Sequence, residues 1–141
     1  MKLSLLAVGK LRESWVRDGC VEYEKRVRAR LPLEVIELKT AAEMARRVPA
    51  RFEVWALDER GREWSSQELA EELRRRMSSG AQGVALLIGG ADGLPAELVA
   101  GARVRWSLGR LTLPHRLARL VVLEQLYRAL SIVRGEPYHR E

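Results

Sequence analysis

Cysteine occurs once in the 141 residues, at Cys20, and histidine twice, at His115 and His139. A disulfide framework within the chain is thereby excluded, and a Cys/His zinc site would be hard to assemble, so chemistry without a structural metal is expected. Long hydrophobic runs are missing too. The opening ten residues carry an apolar run far shorter than a secretory core followed by a cleavage site, and nothing approaches the roughly 20 apolar residues of a membrane span; a cytoplasmic protein that uses no membrane is expected.

What is present is ordinary globular material, 47% hydrophobic and 31% charged, in a length that suits one domain over residues 1–141. The net charge of +6 is unevenly spread: residues 1–102 hold 17 Lys/Arg against 16 Asp/Glu, whereas residues 103–141 hold 8 against 3. A local basic surface rich in Arg suits phosphate neutralisation, although basic tails are common and charge alone does not establish nucleic-acid binding.

Strand and helix patterns alternate along the chain without repeats or low-complexity linkers. Residues 2–8 form an apolar run closed by Gly9, and residues 15–30 follow as an amphipathic helix. Residues 33–38 read as a second strand and 41–47 as one or two helical turns ending before Pro49. Residues 52–57 read as a third strand closed by the charged turn Asp58-Glu59-Arg60-Gly61. Ser65 with Glu68 then predicts a capping box opening a helix to about Met77. The uninterrupted apolar run 84–88 predicts a central strand covered on both faces. A short helix after Pro95, a short strand at 104–107 and a long helix over 115–133 complete the chain. The expected fold class is α/β with a mainly parallel sheet flanked by helices. In such sheets ligands bind beyond the carboxyl ends of strands, which selects residues 57–61, 89–93 and 108–115.

Gly89-Gly90-Ala91-Asp92-Gly93 fails the G-x-G-x-x-G spacing and lacks a Walker lysine, so NAD and ATP are poorly supported. A tight strand-to-helix turn accounts for these glycines more readily than a ligand does. The segment Leu108-Gly109-Arg110-Leu111-Thr112-Leu113-Pro114-His115 is apolar where a surface loop is normally polar, so it is either packed under the next helix or in contact with an apolar ligand. The helix at 115–133 is apolar on more than one face, which predicts a second subunit against it, the alternative being a helix central to one chain. Arg128 stands four residues after Glu124 as an i, i+4 partner or as a functional cation. The tail packs Tyr138, His139 and Arg140 into consecutive positions able to stack on a base and hold phosphate, although terminal heptapeptides are by default frayed.

Leu87-Ile88-Gly89-Gly90-Ala91-Asp92-Gly93-Leu94, Leu111-Thr112-Leu113-Pro114-His115, Glu124-Gln125-Leu126-Tyr127-Arg128-Ala129 and Pro137-Tyr138-His139-Arg140-Glu141 together resemble the ribosomal RNA large subunit methyltransferase H family of the SPOUT superfamily. The likeness spans the whole chain, including residues 2–10 and Glu22-Tyr23. It implies a SPOUT-type α/β knot with a five-stranded sheet and a C-terminal trefoil knot. It also implies a homodimer that transfers a methyl group from S-adenosyl-L-methionine to N3 of pseudouridine 1915 in 23S ribosomal RNA. By motif match the cofactor site comprises Leu57, Gly89, Leu108, Gly109, Arg110, Leu111, Thr112 and Leu113, with no metal. Arg128, Tyr138, His139 and Arg140 are the implied catalytic, RNA-facing residues, contributed across the dimer interface. Ala91-Asp92 departs from the Pro-Glu or Ser-Asn common among relatives, which leaves the role of Asp92 open, and residues 41–51 are shorter than in many members.

The implied reaction sets its own demands. A protonated N3 imide is a poor nucleophile, so it must be aligned with the sulfonium methyl and helped to lose its proton. His139 is the tail group able to accept a proton near neutrality, while Arg140 or Arg128 can stabilise charge developing on the base. A chain this small has little surface for recognition, so the assembled ribosome is the expected partner. A knotted methyltransferase with another RNA target and a non-catalytic RNA-binding module are the alternatives.

Overall fold

Five runs of the chain form strands: β1 (Lys2–Val8), β2 (Leu33–Leu38), β3 (Glu53–Glu63), β4 (Gly83–Ile88) and β5 (Val104–Ser107). Between and after them lie α1 (Ser14–Arg28), α2 (Met44–Arg47) with a 3-10 turn before it, α3 (Ser66–Ser78), α4 (Ala96–Gly101) and α5 (His115–Val133), and a last 3-10 turn spans Pro137–Arg140. This computed structural model describes residues 1–140, and of His139 the backbone alone. The strands make one sheet in the order β2-β1-β4-β3-β5, every pair parallel. Among the described residues no helix is long and apolar enough to cross a membrane.

The two-residue period of each strand divides its side chains between two apolar layers. Leu3, Leu5, Ala7, Val84, Leu86, Ile88, Trp55 and Trp106 face α1, α3 and α5; Leu6, Ile36, Leu38, Ala85 and Leu87 face Met44 of α2 and Leu94 and Leu98 beside or within α4. β4 is buried at every position, as its unbroken apolar run predicts. The predicted capping box at α3 is formed: the Glu68 N–H donates to the Ser65 hydroxyl at 3.1 Å and the Ser65 N–H to the Glu68 carboxylate at 2.9 Å.

Residues 58–61, expected as a turn closing the third strand, instead lie within β3. The sheet ladder slips there, so that both Leu57 and Arg62 stand opposite Trp106 of β5 and residues 58–61 bulge out at the carboxyl end. Gly61 permits this close approach, since a Cβ at that position would come within 2.5 Å of the Arg105 carbonyl oxygen.

α5 packs between α1 and α3, burying Val122, Leu123, Leu126, Ala129 and Leu130. Full burial of each large aliphatic side chain contributes about 1.5–3 kcal/mol. Much of the apolar breadth of α5 is therefore met inside the chain, while Leu117, Leu120, Val121 and Tyr127 stay partly exposed. The helix stops at Gly135, whose φ of +71° is a left-handed conformation. The Gly135 N–H donates to the Ile132 carbonyl at 3.0 Å and the Glu136 N–H to the Ser131 carbonyl at 2.9 Å, the two bonds of a Schellman ending. The chain then turns back, and Glu136 accepts two hydrogen bonds from Arg30 of α1, at 2.8 and 2.6 Å.

Two predictions follow from this packing. Gly61→Ala should lower stability by about 1–3 kcal/mol in urea unfolding because backbone blocks the added methyl. Gly101→Ala, at a position with open space around the would-be Cβ, should leave the midpoint unchanged or raise it slightly; equal effects of the two variants would refute the steric account. The second concerns acid. Hydrogen bonds from Arg30, opposed by slight desolvation and assisted by the charges of Arg30 and Arg134, hold the Glu136 carboxyl below its ordinary 4.5. Its contribution to tail docking is therefore complete above that ordinary value and lost as pH falls through the lower folded value. A carbon-13 titration of Glu136 should give a midpoint below 4.5 in the native chain and a higher one in Arg30→Gln, where Arg134 alone remains to lower it; a native midpoint at or above the ordinary value would contradict the pairing.

Candidate active site

The carboxyl ends of β3, β4 and β5 meet at an open groove of about 970 Å³, closed on one side by His115 and Ala118 in the first turn of α5. All three loops selected by the strand-end rule contribute. Leu57, Leu108, Leu111, Leu113 and Ala118 give it apolar lining, and Asp58, Glu59 and Asp92 bring three carboxylates to it. Leu111 is 81% exposed, an unusual position for leucine beside a cavity of this size.

Local sterics explain part of the glycine content. A Cβ on Gly89 would lie 2.4 Å from the Gly93 carbonyl carbon, and Gly93, at φ +73°, donates its N–H to the Gly90 carbonyl at 3.0 Å. The tight turn is thus sufficient reason for Gly89, whatever occupies the groove. After β5 the Ser107 hydroxyl accepts from the Gly109 N–H at 3.2 Å and donates to the Gly109 carbonyl at 3.0 Å. This clasp, with Gly109 at φ +130°, redirects the chain as it leaves β5.

Leu57, Gly89, Leu108, Gly109, Leu111, Thr112 and Leu113 line the groove; Arg110 does not, and is exposed beside it. Arg105 and His115 line it as well; His115 lies within the segment that the strand-end rule selects, whereas Arg105 lies outside it. Their signal was position alone, His115 at the end of the odd apolar loop and Arg105 in the strand that feeds it.

The tail residues lie elsewhere. Tyr138 is half-buried, its ring edge-on to Tyr127 at 4.6 Å and its hydroxyl 2.9 Å from Glu124 Oε2 and 3.1 Å from the Tyr23 hydroxyl. Burial first, then the hydrogen bonds with Tyr23 and Glu124, raise that phenol far above its ordinary pKa, so it stays protonated. Arg128 donates to the same Glu124 oxygen at 3.1 and 2.8 Å and lies over the Tyr138 ring at 4.9 Å. The predicted i, i+4 pair is therefore formed, within a larger cluster. Arg26 stands over both Tyr23 and Tyr127, at 5.0 and 5.5 Å. Arg140 is exposed in the last turn, and the side chain of His139 lies outside the described residues.

Groove and tail cluster sit at opposite ends of α5. Its 19 residues span about 28 Å, and the ten steps from Ala118 to Arg128 about 15 Å. One chain therefore does not bring its tail cations to its own groove. Cys20 is no candidate nucleophile: it is fully buried, and desolvation, opposed by the Arg119 charge, pushes its thiol up to about 11.

Comparison with known proteins places the fold in a family. Residues 1–139 match the family model described as "Predicted SPOUT methyltransferase". Proteins named "Ribosomal RNA large subunit methyltransferase H" from Psychrobacter cryohalolentis, Rubrobacter xylanophilus and Anaeromyxobacter sp. strain K are 40%, 44% and 45% identical to this chain, with 98–100% of each sequence covered. Among solved structures, a probable methylase family protein from Haemophilus influenzae superposes over 96% of this chain and 69% of its own, with a TM-score of 0.62 at 11% identity. A putative methyltransferase from Legionella pneumophila, solved with its cofactor SAM, matches over 92% of this chain and 66% of its own with a TM-score of 0.55 at 13% identity. With full-length relatives above 40% identity and a family model spanning nearly every residue, the chain belongs to the SPOUT methyltransferases and, within them, to the ribosomal RNA large subunit methyltransferase H family.

Proposed function

We propose that this protein transfers a methyl group from S-adenosyl-L-methionine to N3 of pseudouridine 1915 of 23S ribosomal RNA, in the cytoplasm and on the assembled ribosome. It would act as a homodimer whose sites each combine the groove of one copy with the tail cluster of the other. The observation that carries this reading is the separation of the apolar, carboxylate-bearing groove from the basic tail by the length of α5. The relatives' names support the RNA target, and the cofactor in the Legionella protein supports the methyl donor. A C-terminal trefoil knot belongs to the same proposal, consistent with a chain that passes beyond β3 to form β5 and then returns as α5 between α1 and α3.

The groove fits such a donor. Its volume is in the range of small-molecule sites, its leucines suit an adenine ring, and Asp58, Glu59 and Asp92 suit an ammonium and a sulfonium. The donor, when bound, supplies an electrophilic methyl on positively charged sulfur. The chain's own residues then have three tasks. The leucines of 108–113 exclude water and orient, the basic tail aligns the base, and Arg128 and Arg140 stabilise negative charge developing on it as its proton leaves toward the His139 imidazole. An RNA-binding module without catalysis would keep the tail and have no use for the groove.

Calorimetry should detect heat on adding S-adenosylmethionine to the folded native protein, and its absence would favour the binding module. Mass mapping of 23S RNA from a deletion strain should show pseudouridine 1915 unmethylated and its methylation restored by this chain; methylation persisting without the protein would sink the target assignment. The shared site has a separate test. Gly89→Val and Arg128→Ala should each abolish methylation as pure dimers, yet subunits mixed and reassociated should recover roughly a quarter of native activity, since only heterodimers hold one intact composite site. No recovery from a mixture shown to contain heterodimers would place groove and tail function in the same chain.

A further inference from the structure

We infer that Tyr138 serves this reaction as the anchor of the C-terminal tail rather than as a stacking platform for a base, and that Glu124 and Tyr23 are positioning residues that hold it. The inference rests on the function proposed above and assigns roles inside the same site.

A phenol has one hydrogen to donate. That of Tyr138 goes to Glu124 Oε2, so in the 3.1 Å contact between the two hydroxyls Tyr23 is the donor and Tyr138 the acceptor. The hydroxyl of Tyr138 is thereby used in both directions inside the chain. Its ring is occupied as well, edge-on against Tyr127 on one side and covered by the Arg128 guanidinium on another. A base stacking on Tyr138 would have to displace Arg128, which is held to Glu124 by two hydrogen bonds.

Glu124 is the hub. One of its oxygens accepts from Tyr138 and from two nitrogens of Arg128, while the other accepts from Gln125 at 2.7 Å. The carboxylate thus fixes two things at once: the direction in which Arg128 presents its guanidinium, and the position of the turn that carries His139 and Arg140. Charge-assisted hydrogen bonds to one acceptor are strongly directional, and a catalytic cation displaced by even an ångström loses much of its effect. The anchor also tethers α1 to the tail across 115 residues of sequence, through Tyr23. At the other end of the same turn Arg30 grips Glu136, so α1 holds the tail at two points.

The test compares Tyr138→Phe, Tyr138→Leu, Tyr23→Phe, Glu124→Gln and the double variant Tyr138→Phe/Glu124→Gln in the full-length dimer. The substrate is ribosomes lacking the methyl group. Tyr138→Phe keeps the ring and deletes the anchor. We expect it to lower the single-turnover rate roughly ten- to a hundredfold, the loss that follows removal of a hydrogen bond to a charged group, with S-adenosylmethionine affinity unchanged. Glu124→Gln should fall at least as far, Tyr23→Phe less, and the double variant little further than Glu124→Gln alone, because both changes break one linkage. Hydrogen exchange at residues 136–140 should quicken in step with the loss of rate, while protection in β4 and α3 stays native, which separates positioning from general unfolding. Full activity in Tyr138→Phe with loss in Tyr138→Leu would overturn the anchor in favour of stacking, as would additive effects in the double variant. Should the native protein methylate no ribosome, the functional reading fails on its own, and unchanged tail exchange in Tyr138→Phe and Glu124→Gln would still refute the anchor.

Discussion

α5 lies in a trough between α1 and α3 on one face of the sheet, and both halves of the proposed chemistry depend on that seat. Val122, Leu123, Leu126, Ala129 and Leu130 are buried there, in an interior dense enough that a shift of one helix against its neighbours would open voids or clashes along its whole length. The helix therefore acts as a strut. Its first turn closes the groove through His115 and Ala118, and its Schellman ending at Gly135 turns the tail back toward α1. Apolar packing at the middle of the helix thus fixes polar groups at both ends.

The residues that leave this apolar seat are the ones with two natures. Tyr23, Tyr127 and Tyr138 place rings against one another while keeping partial exposure, which tolerates neighbouring arginines that a fully apolar wall would not. Arg26 and Arg30 lie over the tyrosine faces, and Arg128 covers the third ring. Cations held this way have lost much of their side-chain freedom before any ligand arrives, so binding a phosphate or a base would cost less ordering entropy than it would with free arginines.

Local pattern made much of the fold legible. The capping box of α3, the wholly buried β4 and the extent of α5 are each written within a few neighbouring residues, where periodicity and hydrogen-bonding chemistry act directly. What sequence could not carry is non-local. Residues 58–61 look like a turn because they are charged and end in glycine; their place in β3 depends on pairing with β5, more than 40 residues later. Arg110 shares a loop with Leu108, Gly109, Leu111, Thr112 and Leu113 and yet does not line the groove, a matter of the path the chain takes after the Ser107–Gly109 clasp. The tail resembles a frayed terminus until its partners are known, and those are Tyr23 at the far end of the chain and Glu124 inside a helix. The family resemblance divides its implied site residues into two groups, and the structure sets those groups a helix length apart along α5.

That distance also changes how the basic C-terminal end should be understood. Five of its eight arginines, Arg103, Arg116, Arg119, Arg128 and Arg134, pair with glutamates inside the chain. Apart from Arg128, they shape the protein's interior and surface more than they attract a polyanion. Arg105, Arg110 and Arg140 are exposed, and none pairs with a carboxylate among the described residues. Two of these stand at or beside the groove and the third at the tip of the tail. In a dimer that brings one copy's tail to its partner's groove, the three would gather around each composite site. The excess charge would then be concentrated where a phosphate backbone must pass, and ordinary screening at physiological salt would leave so short-ranged a cluster effective while muting the rest of the surface.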